Sequence, residues 1–314
     1  MCRRARHLVL ACLLAMTLVL PAAAAERVLV VMSGEDGVYA ETAAGLRNEL
    51  ERDVTLKVGV PAKLLDTQEA PPALIVTVGT AAFEKTHQWL SERYAVWGHV
   101  PVLATLLPRA AYEARATEAG RSTRAMSAVL LDQPLAREMA LIKRALPNWL
   151  RVGVLLGPQT RPQLLQIERQ ARLRELRLVP SLYVDSAERI YPALKEVLES
   201  ADVLLALPDA VIYNSSSLQN ILLASYRARV PLVAFSPTHV KAGALMAVYT
   251  TPDQVARQAA GMARGWLAGR SLPAAQTPRE FDVVVNHHVA NSLGLRIDDA
   301  KQIAEDLRRE EGRP

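Results

Sequence analysis

Short apolar runs alternate with helix-patterned stretches along almost the whole chain, and that alternation leaves few folds open. Arg27–Met32, Val54–Val60, Ala73–Val78 and Pro101–Leu107 read as strands of the fully buried kind. The turn Ser33-Gly34-Glu35-Asp36-Gly37 follows the first, after which Val38, Thr42, Leu46 and Leu50 recur at helical spacing. Gly79-Thr80 opens a helix that reaches about Arg93. The pattern restarts at Arg151–Leu156 and continues through Leu178–Val184, Val203–Leu207, Pro231–Phe235 and Ala244–Thr250. Between the halves, Arg109–Arg124 is charged and reads as a surface helix or a crossing segment. Ala125–Leu131 is apolar again, and Leu135, Met139, Ile142 and Leu146 form a helical stripe that stops at Pro147. Continuous apolar strands separated by helices build parallel sheets covered on both faces. The expected fold is therefore α/β, with two Rossmann-like lobes of parallel sheet joined by a hinge.

Thr251-Pro252-Asp253 is a strong helix start: a cap, a proline at the first position and an acid in the first turn. Val255, Ala259, Met262 and Trp266 line one face of that helix, and Gly269 suits its C-terminal cap. It is expected to return to the first lobe, before a last strand at Phe281–Val285 and a charged helix around Ala300–Arg309. The expected division is a leader at 1–25, an N-terminal lobe of 26–125 plus 251–280, and a C-terminal lobe of 126–250 plus 281–314.

The leader has the layout of an export signal. Arg3, Arg4 and Arg6 precede the apolar run Leu8–Leu20, and Pro21 leads to Ala22–Ala25, where cleavage near Ala25 is expected. The apolar run falls short of the roughly 20 residues of a spanning helix, so a cleaved leader fits better than an anchor. Cys12 only faintly resembles a lipoprotein acylation site. Localisation in the periplasm is expected. Both cysteines, Cys2 and Cys12, lie in the leader, so the remainder holds no disulfide, no thiol nucleophile and no cysteine metal site. With 50% apolar residues, the core must supply the stability. Removing the three leader arginines from the 37 Lys and Arg leaves an excess of only two over the 32 Asp and Glu. The basic residues are scattered, which argues against nucleic-acid binding.

Polar turns at the carboxyl ends of parallel strands are where α/β proteins bind ligands. The candidates on those turns are Ser33 and Asp36, Gly79 and Thr80, Asp132 and Gln133, Asp209 and Asn214, Ser236, and Tyr249. Asp209 could meet a ligand amine, and Asn214 offers both donor and acceptor; Asn214 fits a helix-cap role equally well. Ser236 could hold a carboxylate or hydroxyl, or simply form the turn around Pro237. Gly79-Thr80 could hold an anion on free amides or use Gly for backbone reasons. Asp132 and Gln133 fit a hinge or cap role as well as ligand contact. Tyr249 could cover a ligand with its ring or pack in the hinge. No G-x-S-x-G elbow, Walker loop or H-E-x-x-H is present, and His287-His288 has no carboxylate at ligand spacing. No catalytic set, metal site or cofactor is expected.

Several stretches carry a family resemblance: ALIVTVGTAA (Ala73–Ala82), VPVLATLLP (Val100–Pro108), ALPNWLRVGVLLGP (Ala145–Pro158), DVLLALPDAVIYN (Asp202–Asn214), VPLVAFSPTHVKAGALMAVYTTPDQVARQAA (Val230–Ala260) and FDVVVNHHVANSLGL (Phe281–Leu295). In these the chain resembles the ABC-type substrate-binding proteins of the uncharacterised and tryptophan-related class, with a type I periplasmic-binding fold. The family's asparagine–isoleucine–threonine–glycine crossing segment is here SAVLLDQP, Ser127–Pro134. The resemblance implies a clamp that closes on a ligand and docks on an inner-membrane ABC permease. The function expected is capture of a small polar molecule, amino-acid-like or heterocyclic, by a monomeric binding protein that is not an enzyme. A periplasmic sensor for a membrane receptor and a secreted α/β hydrolase are the competing readings. The 5% aromatic content disfavours a sugar, whose sites often use stacked rings.

Overall fold

The structure is a computed structural model that describes residues 26–65, 70–119 and 124–312. The expected leader, residues 1–25, lies outside the described residues.

Parallel pairing of the first strands builds one sheet. Strands β1 (Arg27–Met32), β2 (Thr55–Gly59), β3 (Leu74–Val78), β4 (Val102–Leu107) and β5 (Met126–Leu130) lie in the order β2-β1-β3-β4-β5, all parallel. Between them run α1 (Gly37–Leu50), α2 (Pro61–Leu64), α3 (Thr80–Glu92), α4 (Tyr94–Trp97) and α5 (Arg109–Ala119). Alternate residues of β1 serve different cores. Val28, Val30 and Met32 pack with Leu46 and Leu50 of α1, whereas Leu29 and Val31 pack with Phe83 and Leu90 of α3. Two covered faces are why these strands read as unbroken apolar runs rather than alternating ones.

The second sheet has the order β11-β10-β9-β8-β6-β7. Its strands are β6 (Arg151–Leu156), β7 (Arg177–Tyr183), β8 (Val203–Leu205), β9 (Leu232–Ala234), β10 (Met246–Tyr249) and β11 (Asp282–Val285). All pair in parallel except β11, which runs antiparallel to β10. The helices here are α6 (Leu135–Ala145), α7 (Leu164–Leu173), α8 (Ala187–Ser200), α9 (Leu218–Arg227) and α10 (Pro237–Ala242). After β10 come α11 (Pro252–Leu267), α12 (His287–Ser292) and α13 (Ala300–Glu310). The molecule is thus a two-lobed α/β protein with mostly parallel sheets.

Helix α11 packs on the first sheet. Thr251 and Gln254 form a reciprocal capping box at its start. Val255, Ala256, Ala259, Ala260 and Ala263 bury against α1 and against β4 and β5 of the sheet. The helices approach closely because α1 presents Gly45: a Cβ there would lie 2.7 Å from the Cβ of Ala256. One segment lies elsewhere than the sequence suggested. Met126–Leu130, expected in the C-terminal lobe, hydrogen-bonds to β4 as the edge of the first sheet. The lobe crossing therefore begins after Leu130.

Three connections join the two sheets: residues 131–134 after β5, 250–251 after β10, and 268–281 before β11. The first two leave from carboxyl ends of parallel strands, and they touch where Gln133 Nε2 donates to Thr250 Oγ1 at 2.9 Å. That contact holds the two crossings together beyond the carboxyl ends of β5 and β10. Among the described residues no helix is long and apolar enough to cross a membrane.

Candidate functional site

In the first lobe the pairing of β1 with β3 places Met32 beside Val78, so the turns that follow are neighbours. Ser33 donates its backbone N–H to Val78 O (2.9 Å), and its Oγ accepts from Ala82 N (2.9 Å). Ser33 thereby satisfies an orphan donor in the first turn of α3. Gly79 precedes that helix at φ 94°, and a Cβ there would sit 2.5 Å from Ser33 Oγ and 2.6 Å from the Tyr39 ring. Both the positive φ and the close approach demand glycine. Among the described residues the Thr80 hydroxyl and the Asp36 carboxylate have no hydrogen-bond partner, and Asp36 lies exposed at the start of α1. Glu35, by contrast, pairs with Lys63 at 2.6 Å. Ser33, Asp36, Gly79 and Thr80 thus form one strand-end group, with Tyr39 as a half-buried ring that the sequence reading missed.

In the second lobe the expected polar residues are drawn into the loops that carry them. Asp209 is buried. Its Oδ2 accepts from Gln159 N (2.9 Å), Thr160 N (3.2 Å) and Thr160 Oγ1 (3.2 Å), and its Oδ1 accepts from Val211 N (3.1 Å). Gln159 reciprocates by accepting from Ala210 N at 2.9 Å. The turn after β6 is thus tied to the turn after β8. Asn214 donates to Ala210 O and Val211 O (both 3.1 Å) and accepts from Ser216 N, Ser216 Oγ and Ser217 N. It is held by its own loop, in the manner of the cap reading. Ser236 caps α10 by accepting from Thr238 N at 3.2 Å. Phe235 beside it makes edge contacts with Tyr213 (6.1 Å between centroids) and His239 (4.6 Å). Burial pushes the Tyr213 hydroxyl far above its ordinary range, the charge of Asp209 adds to this, and burial lowers His239. Both are therefore neutral at physiological pH.

The remaining candidates lie at the crossings. Asp132 Oδ2 accepts from Arg109 N at 2.6 Å, which caps α5. Burial raises its carboxyl pKa against that hydrogen bond. Gln133 joins Thr250 to Arg137, whose guanidinium donates to Gln133 Oε1 at 2.7 Å. Tyr249 ends β10 opposite Asp282; it is half-buried, and its hydroxyl has no hydrogen-bond partner among the described residues. Burial, and then the Asp282 charge, raise its pKa.

Two residues at the crossing escaped the sequence reading. Arg137 is 1% and Glu138 2% exposed. Burial, then the nearby Asp132 charge, push the Glu138 carboxyl well above its usual range, while Arg137 opposes them. Glu138 Oε2 has no hydrogen-bond partner. A signal was present: Glu138 falls three residues after Leu135 and four before Ile142, on the apolar stripe itself.

Among the described residues no group of three His, Cys, Asp or Glu side chains is arranged to hold a metal. A cavity of about 850 Å³ lies away from the strand ends, on the flank between α8 and α9, lined by Ile190, Leu194, Leu198, Ile221 and Ala224.

Two covered, mostly parallel sheets joined by three crossings make up the two-lobed α/β fold of periplasmic binding proteins. The chain belongs to the family of ABC transporter substrate binding proteins, whose family model matches residues 121–305. Solved structures share the fold. A conserved domain protein from Vibrio cholerae O1 biovar El Tor is 20% identical, with TM-score 0.60, covering 89% of this chain and 98% of that one. An ABC domain from Streptococcus pneumoniae in complex with L-Trp is 15% identical, with TM-score 0.61 and the same coverage. A ligand-free, open substrate-binding protein with adhesive properties from Clostridium difficile is 15% identical, with TM-score 0.66 and again 89% and 98% covered. No match was found among curated proteins.

Proposed function

We propose that the chain captures a small polar molecule, amino-acid-like or heterocyclic, between its lobes and delivers it to an ABC importer. The observation that supports this reading is that two crossings leave from carboxyl ends of strands in the two mostly parallel sheets and touch through Gln133 and Thr250. The first lobe would contribute Ser33, Asp36, Gly79 and Thr80. Asp36 and Thr80 have no internal partner to give up, so a ligand amine or hydroxyl would meet them without breaking protein hydrogen bonds. The second lobe and crossing would contribute Ser236 and Tyr249. Asp132, Gln133, Asp209 and Asn214 would act mainly by holding the loops and crossings in place. Tyr39, Phe235 and Tyr249 supply flat apolar surface for a ring, and the L-Trp complex of the pneumococcal relative favours the same ligand class.

Closure would follow from a ligand that contacts the closed arrangement better than the open one. The protein would work in the periplasm as a monomer after its leader is removed near Ala25, without catalysis or cofactor. Native mass spectrometry of gently purified protein tests this: a bound metabolite of small mass is expected, and adding it back should raise the melting temperature. A broad metabolite screen that yields neither a bound mass nor a thermal shift would remove the reading.

A further inference from the structure

One side chain ties the lobe crossings together. Arg137, in the first turn of α6, donates from Nη1 to Gln133 Oε1 (2.7 Å) in the first crossing and to Pro278 O (3.1 Å) in the third. Its Nη2 reaches Arg279 O at 3.5 Å. Gln133 passes the contact to Thr250 in the second crossing (2.9 Å), and the Thr250 hydroxyl donates to Glu280 O (3.0 Å), back in the third. The guanidinium also lies 4.0 Å from the centre of the Phe281 ring. Its counter-charge comes from Glu311, just past α13: Nε donates to Oε1 at 2.6 Å and Nη2 to Oε2 at 2.9 Å. Glu138, the next residue along the helix, leaves Oε2 unpartnered instead.

We propose that Arg137 is the positioning residue of the hinge: one buried guanidinium, neutralised by Glu311 from the C-terminal segment, fixes the spacing of the three crossings and so the resting angle between the lobes. The inference rests on the two-lobed clamp reading. A buried cation forfeits a great deal if its carboxylate leaves, and a forked pair holds geometry as well as charge. Arg137 lies on α6 of the second lobe, Phe281 packs in that lobe's core and Glu311 follows its last helix. The fork is therefore held by that lobe and, through Gln133 and Pro278, clamps two crossings where they enter it, so rotation is confined to the few residues beyond the clamp. Hinges confine backbone change to a few such residues.

The test is a distance distribution between the lobes measured by pulsed electron resonance. Spin labels go on Lys85→Cys in α3 and Lys241→Cys in α10, both exposed, in the full chain with Cys2→Ser and Cys12→Ser. The unliganded parent is compared with Arg137→Met, Arg137→Lys, Gln133→Leu and Glu311→Gln, each shown to be folded by near-ultraviolet circular dichroism. The distribution is expected to widen about twofold in Arg137→Met and Glu311→Gln as further lobe angles become populated. Arg137→Lys, which keeps the charge without the fork, should recover part of the parent's width. A merely structural role would lower the unfolding midpoint and leave the width unchanged, and that result overturns the proposal. If Arg137→Met does not fold, Glu311→Gln and Gln133→Leu decide it by the same criterion. Unchanged widths alongside stoichiometric ligand capture would sink the hinge assignment alone; widened distributions in a protein that binds nothing would sink the clamp function alone.

Discussion

Asp209 sits at a strand end in a two-lobed binder, yet its carboxylate accepts from three residues on two loops. Asp209→Ala would leave the N–H groups of Gln159, Thr160 and Val211 without that acceptor. An expected loss of about 2–4 kcal/mol can be read from urea unfolding midpoints, and Asp209→Asn should recover part of it. Glu138 makes a prediction of opposite sense. Below the ordinary carboxyl pKa, folded and unfolded chains are both protonated there. As pH rises, the unfolded chain ionises first while burial keeps the proton on the folded one, so stability falls until the raised folded pKa is passed. Glu138→Gln should flatten that fall as pH rises above the ordinary glutamate pKa, measured as the pH dependence of the urea midpoint. A variant with the parent's slope would place the titration elsewhere. Residue identity alone named Asp209, Asn214 and Gln133 as polar groups at useful places. It did not tell ligand contact from loop bonding: Asn214 bonds within its own loop, whereas the partners of the other two are distant, Gln159 lying fifty residues from Asp209 and Thr250 lying 117 from Gln133.

At the scale of elements the sequence was highly legible, for a physical reason. Strands covered on both faces must be apolar at every position, and helices on a sheet must repeat their apolar face, so β1, β3, α6 and α11 can be read from local pattern. The cap of α11 was equally readable from Thr251-Pro252-Asp253, because capping is local chemistry. Membership of a sheet is not local. Met126–Leu130 looks the same whether it pairs with β4 or with a strand of the other lobe, and only the pairing shows that the crossing starts later. The interface of α1 with α11 depends on another pairing that the pattern does not disclose. Gly45→Val would push a branched side chain against Ala256, whose Cβ lies 2.7 Å from the position of an added Cβ. The expected cost is about 1–3 kcal/mol, measured by thermal or urea unfolding, with Gly45→Ala costing less. Equal stability of Gly45→Val and the parent would contradict this tight helix contact.

The whole molecule follows from where two connections leave their sheets. Crossings 131–134 and 250–251 both depart from carboxyl ends of strands, one from each sheet, and the proposed clamp closes on that side of the molecule. The family resemblance was legible because several strand-and-turn stretches have characteristic wording; the ligand was not, since one fold serves many functions and the site decides among them. If the clamp reading is right, a ligand at a hundredfold excess over its Kd should stabilise the closed protein by about 2.7 kcal/mol. Weakening the first-lobe group by Asp36→Ala with Thr80→Ala should shrink that gain without a comparable loss of stability in the unliganded chain, which calorimetric melting with and without ligand would reveal. Small-angle X-ray scattering of the full chain, with and without the metabolite recovered from it, tests the central claim most directly. The account predicts a smaller radius of gyration with one ligand bound per chain; a recovered metabolite that binds at that ratio and leaves the radius unchanged would contradict closure of two lobes around it.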